Sequence, residues 1–137
     1  MYYFAQFNGL EGYTVTARFR DIPEIIVSGT SKAETITLAE QALFAAITNS
    51  FLRMEKFPLA SEGMEQEVAV YVPETVYAKV LLHNVMIDRK VKKSELARLL
   101  DTNPPEIQRI LDLKHRTKID TIGRALALLN APLKMSV

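Results

Sequence analysis

The side chains best suited to chemistry are concentrated between Lys92 and Leu113, in the run KKSELARLLDTNPPEIQRILDL. It divides into a short helical pattern with a small residue in its middle, Ala97, a turn at Asp101-Thr102-Asn103, and a second helical pattern striped by Ile107, Ile110 and Leu111. Two helices joined this way make a helix-turn-helix. The small residue lets the second helix cross close to the first, and the second helix then projects into a major groove about 12 Å wide. Its outward positions are Asn103, Pro105, Glu106, Gln108 and Arg109. Gln suits the adenine edge and Arg the guanine edge, each through a pair of hydrogen bonds. Contacts to the nucleic-acid backbone fit Lys92, Lys93 and Ser94 at the start of the first helix and Thr102 in the turn. Lys114, Arg116 and Lys118, in the loop after the second helix, suit phosphates in the same way. The plainer reading of the same residues is a four-helix bundle with a solvated charged face.

Other chemistries are poorly served. Asp21, Glu24 and Glu34 are the acids that a two-metal nuclease would need, but they form no compact cluster in sequence and read as loop charge and helix capping. With no cysteine and only His83 and His115, far apart, no metal site is expected. His83 falls on an apolar helical stripe and reads as packing, and His115 as a surface or phosphate-side residue. The Gly9 to Gly12 loop is too short to cradle a phosphate, and no nucleotide-loop, zinc-protease or nucleophile-elbow motif occurs. No catalytic residue and no cofactor are expected.

The elements that must carry these residues change character once along the chain. Tyr2 to Asn8 and Tyr13 to Arg20 alternate with a period of two, with Tyr13, Val15, Ala17 and Phe19 on one face, and Gly9-Leu10-Glu11-Gly12 turns between them. A third strand is expected over Ile25 to Ser28. Ser31 followed by Glu34 is a capping box that opens a helix striped by Ile36, Ala39, Leu43, Ile47 and Phe51 and fading near Met54 to Lys56. Glu67 to Val72 is a last strand. Beyond Pro73 the period becomes helical: about Thr75 to Ile87, Ser94 to Leu100, a helix capped by Asn103 with Pro104 in its first turn, and one opening at Thr117 or Asp120 and running to about Asn130. Leu133, Met135 and Val137 then alternate as a short terminal strand. The expected class is α+β: a βββαβ domain over residues 1–72 and an all-α domain over 75–137.

Charge divides at the same boundary. Up to Pro73 there are 5 Lys/Arg against 9 Asp/Glu, net −4; from Glu74 onward 12 against 7, net +5. An acidic half suits a basic protein partner, and a basic half suits a polyanion. No apolar run approaches the roughly 18–20 residues that span a bilayer, and the N-terminus has no signal-peptide pattern, so a cytoplasmic protein is expected. A reader of a palindromic site needs two recognition helices about 34 Å apart, hence at least a dimer. Leu126, Leu129, Leu133, Met135 and Val137 are the expected dimer surface.

The Lys92–Leu113 run resembles the lambda-repressor-like helix-turn-helix group, with two departures: Asp101 stands where that group usually has Gly, and Lys92 where a Ser or Thr cap is usual. Gly12-Tyr13-Thr14-Val15, Asp21-Ile22-Pro23-Glu24, then Gly29 with Ala33-Glu34 and Ala42-Leu43 resemble the HicB antitoxin family, with Thr35 where the family often has Ala. The run from Glu95 to Asp120 looks like the HicB subgroup that carries a helix-turn-helix. The resemblance implies an N-terminal domain similar to a partial ribonuclease H fold without its activity. It also implies binding to a small basic HicA toxin that cleaves mRNA, and a dimeric C-terminal domain that represses the operon at operator DNA. Two alternatives stand beside it: a protein-sequestering module that does not bind DNA, and a ribonuclease H-like nuclease.

Overall fold

Period-two alternation builds the N-terminal sheet because successive side chains of a strand point to opposite faces. In the computed structural model, which describes residues 1–134, β1 (Tyr2–Gly9), β2 (Val15–Phe19), β3 (Ile26–Gly29) and β4 (Val68–Tyr71) form one antiparallel sheet in the order β3-β2-β1-β4. The register sets Ala5 opposite Phe19, Phe7 opposite Ala17 and Tyr3 opposite Val70. Tyr3, Ala5, Val15, Ala17, Phe19 and Val70 are accordingly all buried. Tyr13 departs from the expected inward face. It is 74% exposed because the turn, with Gly9 at φ 121° and Gly12 at φ 85°, holds it two residues short of β2.

Helix α1 (Lys32–Leu52) starts as its capping residues require. Ser31 Oγ accepts the Glu34 N–H at 3.0 Å, although Glu34 Oε2 accepts from the Thr30 hydroxyl (2.9 Å) rather than closing the box. Thr35, Ala39, Leu43 and Ile47 form its buried stripe. The Thr35 hydroxyl lies 2.8 Å from Ser31 O and 3.0 Å from Val15 O, which ties the first turn of α1 to β2 and satisfies a polar group buried without solvent. Arg20 fixes the loop before β4, with Nη1 on Glu67 Oε1 (2.7 Å) and Nη2 on Ser61 Oγ (2.8 Å) and Glu62 O.

The chain divides into two compact units, Met1–Asn49 with Pro58–Val72, and Ser50–Phe57 with Pro73–Val137. The division sharpens the charge asymmetry. The first unit holds 3 Lys/Arg and 8 Asp/Glu, net −5; the second holds 14 and 8, net +6.

In the second unit, α2 (Glu74–Asp88) is the central element. The sequence suggested one apolar stripe, whereas nine of its residues are buried, among them Lys79, His83 and Asn84. One side of α2 contributes Ala78, Leu82 and Met86 to a core with Leu96, Ala97, Ile107, Ile110, Ile122, Ala125, Leu126 and Leu129. Another side holds the 50–57 segment. Asn84 Oδ1 accepts from Phe57 N–H (2.9 Å) and Asn84 Nδ2 donates to Phe57 O (2.8 Å). His83 Nε2 donates to Glu55 O (2.7 Å), the Phe51 ring stacks on the His83 ring at 4.0 Å, and Lys56 pairs with Asp88 (2.8 Å).

Helices α3 (Lys93–Leu99), α4 (Pro104–Leu111) and α5 (Ile119–Leu128) follow. Helices α1, α2, α3 and α5 end alike, each on a non-glycine residue in the left-handed region: Met54, Lys90, Asp101 and Asn130, with φ from 54° to 56°. At each, the next residue's N–H returns to the carbonyl five before it (Glu55 to Ser50, Val91 to Met86, Thr102 to Ala97, Ala131 to Leu126), the Schellman closure. Leu133 packs beside the core without forming a strand, Lys134 is exposed and outside any strand, and Met135, Ser136 and Val137 lie outside the described residues.

Candidate nucleic-acid interface

Helix α4 has the built N-terminus that the sequence called for. Asn103 Oδ1 accepts the Glu106 N–H at 3.0 Å, and Pro104 and Pro105 occupy positions where an amide donor would have no helical partner. Ile107 and Ile110 turn inward, which leaves Pro104, Pro105, Gln108 and Arg109 as one exposed stripe, with Glu106 at its margin. Ala97, buried beside Ile107 in the core, is the small residue that lets α3 and α4 approach. Asp101 takes the left-handed conformation of the turn (φ 55°). Lys92 caps α3 from its backbone alone: its N–H donates to Glu95 Oε1 at 3.4 Å, while its ammonium cannot accept a hydrogen bond.

Two contacts gather the expected readers. Lys93 Nζ donates to Gln108 Oε1, joining the start of α3 to the exposed stripe of α4. Arg109 Nη1 pairs with Glu106 Oε2 at 2.6 Å, one turn along the helix. Both partners of that pair are well exposed, so it contributes at most about 1 kcal/mol and competes weakly with an outside ligand. Lys92, Ser94, Thr102, Asn103, Pro105, Lys114, Arg116 and Lys118 are exposed. His115 is exposed too, with Nδ1 3.3 Å from Thr117 Oγ1.

Sequence reasoning passed over Lys79. Its side chain is 1% exposed, and Nζ donates to Asp112 O (2.6 Å) and His115 O (2.7 Å), both just beyond α4. Burial pushes this ammonium below the ordinary lysine range, and the Asp112 charge partly offsets the shift. A lysine amid Val76, Val80 and His83 was the available signal: a charge within an apolar pattern demands a partner.

The other expected sites fare differently. Leu126 and Leu129, assigned to a dimer surface, are 1% and 7% exposed inside their own unit's core, and Leu133 packs against that core. Their apolar area is covered within the chain. Asp21 is held by Ser61, through N–H (2.9 Å) and Oγ (2.7 Å); burial raises its carboxyl, but these bonds and the Arg20 charge outweigh that and leave it below the usual range. Glu34 is spent on Thr30. Among the described residues no three His, Asp or Glu side chains converge as a metal site, and no helix is long and apolar enough to cross a membrane.

Comparison with known proteins decides the family. Residues 4–81 match the model described as HicB-like antitoxin of bacterial toxin-antitoxin system. The chain belongs to the HicB-like antitoxin family. Antitoxin HicB 2 of Photorhabdus laumondii is 43% identical over 117 residues, covering 85% of this chain and 83% of the relative. Antitoxin HicB 1 of the same organism is 37% identical, covering 92% and 79%. Antitoxin HicB of Escherichia coli is 36% identical, covering 90% and 88%. This HicB-like protein therefore has an antitoxin role, which is not an enzymatic one, and a toxin as partner. The family match takes in the whole first unit apart from its first three residues, and α2 as far as Leu81.

Proposed function

We propose that this HicB-like antitoxin neutralises a HicA-type, mRNA-cleaving toxin through its acidic first unit and represses its own operon by binding operator DNA through α3 and α4. In this reading the first unit is a partial ribonuclease H-like domain and the second a lambda-repressor-like helix-turn-helix domain. The observation that carries the DNA half is the exposed stripe Pro104, Pro105, Gln108 and Arg109 beside Lys93, on a unit of net charge +6. Base contacts by Gln108 and Arg109 are each worth about 1–3 kcal/mol, more than the exposed Glu106–Arg109 pair that DNA would displace. The net −5 of the first unit supports capture of a basic toxin by raising the encounter rate. Recognition of a two-fold operator implies at least a dimer, assembled in the cytoplasm.

Two titrations of the full-length protein test the reading. Fluorescence anisotropy on the duplex upstream of its own gene should give tighter binding than on a scrambled duplex, with a steep salt dependence. Addition to the toxin encoded beside the gene should stop RNA cleavage at stoichiometric ratio. Equal affinity for both duplexes overturns operator reading, and unaltered cleavage at excess antitoxin overturns neutralisation.

A further inference from the structure

We propose that Lys79 is the positioning residue for the loop that presents Lys114, Arg116 and Lys118 to DNA phosphates, an inference that rests on the DNA-binding reading above. The loop starts where α4 ends, and α4 ends unlike the other helices. Among the described residues, α1, α2, α3 and α5 each close on a left-handed residue, whereas α4 runs into Asp112 in an extended conformation. No Schellman closure turns the chain there. The carbonyls at a helix end still need donors, and a lysine side chain can supply them.

Lys79 supplies one such donor from outside the helix, to the C-cap carbonyl Asp112 O, and a second to His115 O just beyond it. The segment Asp112–His115 is a tight turn, with His115 N–H donating to Asp112 O at 3.1 Å and Lys114 N–H donating to Asp112 Oδ1 at 3.0 Å. The Lys79 ammonium reaches the carbonyls at both ends of that turn, at 2.6 and 2.7 Å. Its stem is rooted in the central helix α2, so the turn is referred to the most buried element of the unit. Lys114 projects from the turn itself, and Arg116 and Lys118 follow directly, all exposed. A loop of three cations repels itself and gains nothing from collapsing. Bound through backbone carbonyls, it keeps one shape while its side chains stay free for phosphates. Lys79 itself is buried and cannot touch DNA.

The experiment uses the full-length protein and its Lys79→Met variant, which keeps the apolar stem and removes the donors. Salt titration on the upstream duplex should show the log–log slope falling by about 2–3, the share of three phosphate contacts at roughly 0.9 each. Discrimination between upstream and scrambled duplex should persist, because Gln108 and Arg109 are untouched. A variant that merely loses folded protein would keep the wild-type slope with fewer active molecules. In the same variant without DNA, amide exchange at 113–118 should quicken at least about tenfold while Ile107 and Ile110 amides hold their wild-type rates. Should Lys79→Met fail to fold, nuclear magnetic resonance of the wild-type protein decides: the Lys79 ammonium must exchange its protons far more slowly than the exposed lysines, and does so with the duplex bound. A wild-type slope in folded Lys79→Met, or an ammonium exchanging as fast as an exposed one, overturns the proposal. Wild-type protein with no preference for the upstream duplex overturns the DNA-binding reading instead, and with it the purpose assigned to the loop.

Discussion

Replacing Asn84 by alanine should be among the costliest single changes outside the apolar core. The Asn84 amide makes two hydrogen bonds to one residue, accepting from Phe57 N–H at 2.9 Å and donating to Phe57 O at 2.8 Å. Asn84 and Phe57 are 6% and 3% exposed, so water does not replace the lost partner without local opening. A buried polar group left without its partner costs about 1–3 kcal/mol. Two such groups, reduced by the relaxation that a chain segment ending in an exposed loop allows, give an expected loss of about 2–4 kcal/mol. A domain of this size has about 5–15 kcal/mol in all, so the effect is easily read. The assay is urea unfolding of the full-length chain followed by far-ultraviolet circular dichroism, with the exposed change Gln6→Ala as control. A loss below about 0.5 kcal/mol for Asn84→Ala, on the scale of ordinary surface changes, would refute the claim that the side chain holds the 50–57 segment.

Four further outcomes are expected. Arg109→Ala should weaken binding to the upstream duplex by about 1–3 kcal/mol and relax preference at one base position, whereas Lys93→Ala should weaken all duplexes evenly and flatten the salt dependence, both read by anisotropy. Asp101→Gly should raise stability by about 0.5–1 kcal/mol in thermal melts, because glycine meets φ 55° without the steric cost that aspartate bears. Burial of His83 lowers its pKa, opposed by its bond to Glu55 O, so the unfolded chain binds the proton more readily. Stability is therefore full above the ordinary value of 6.5 and drains as pH falls from there towards the lower folded value, a trend that His83→Phe should flatten in melts across pH. Leu133→Ala should lower stability by about 1–2 kcal/mol in thermal melts without lowering the mass seen by light scattering, because its side chain packs against its own unit's core.

Element type was largely legible from period and capping, because both are local. The inward faces of β1 and β2, the Ser31 start of α1, and the Asn103-Pro104 start of α4 each follow from a few adjacent residues. The ends of α1 and α2 fall within a few residues of where the pattern fades, near Met54 and Ile87, but the way they close was hidden. Met54 and Lys90 take the left-handed conformation without the glycine that announces such a closure; only the returning N–H bonds reveal it. The exposed stripe of α4 could be read from Ile107 and Ile110, but the Lys93–Gln108 contact and the Lys79 anchor join residues 15 and 33–36 positions apart, which no local pattern encodes. The same blindness affected Leu126 and Leu129, whose spacing marks an apolar face without saying whether its cover is the chain's own core or a second copy.

The polypeptide passes between the two units three times, after Asn49, after Phe57 and after Val72. Domains that are beads on a string can be traded between genes by one crossover in the linker, and the obvious place here is Val72–Pro73. A crossover there would deliver α2 to α5 without residues 50–57, and would set a foreign segment against Asn84, His83 and Asp88. Recombinants that lack matching residues at 51 and 55–57 start life destabilised by the loss worked out for Asn84. Exchange confined to the stretch from α3 through the loop before α5 disturbs none of those contacts, although its loop must still meet Lys79. With α3 and α4 reading the operator as proposed, related genes should acquire new operator preferences by substitution or short conversion tracts within α3–α4 more readily than by swapping whole C-terminal halves, and the breakpoints of natural chimaeras should avoid the Val72–Pro73 junction.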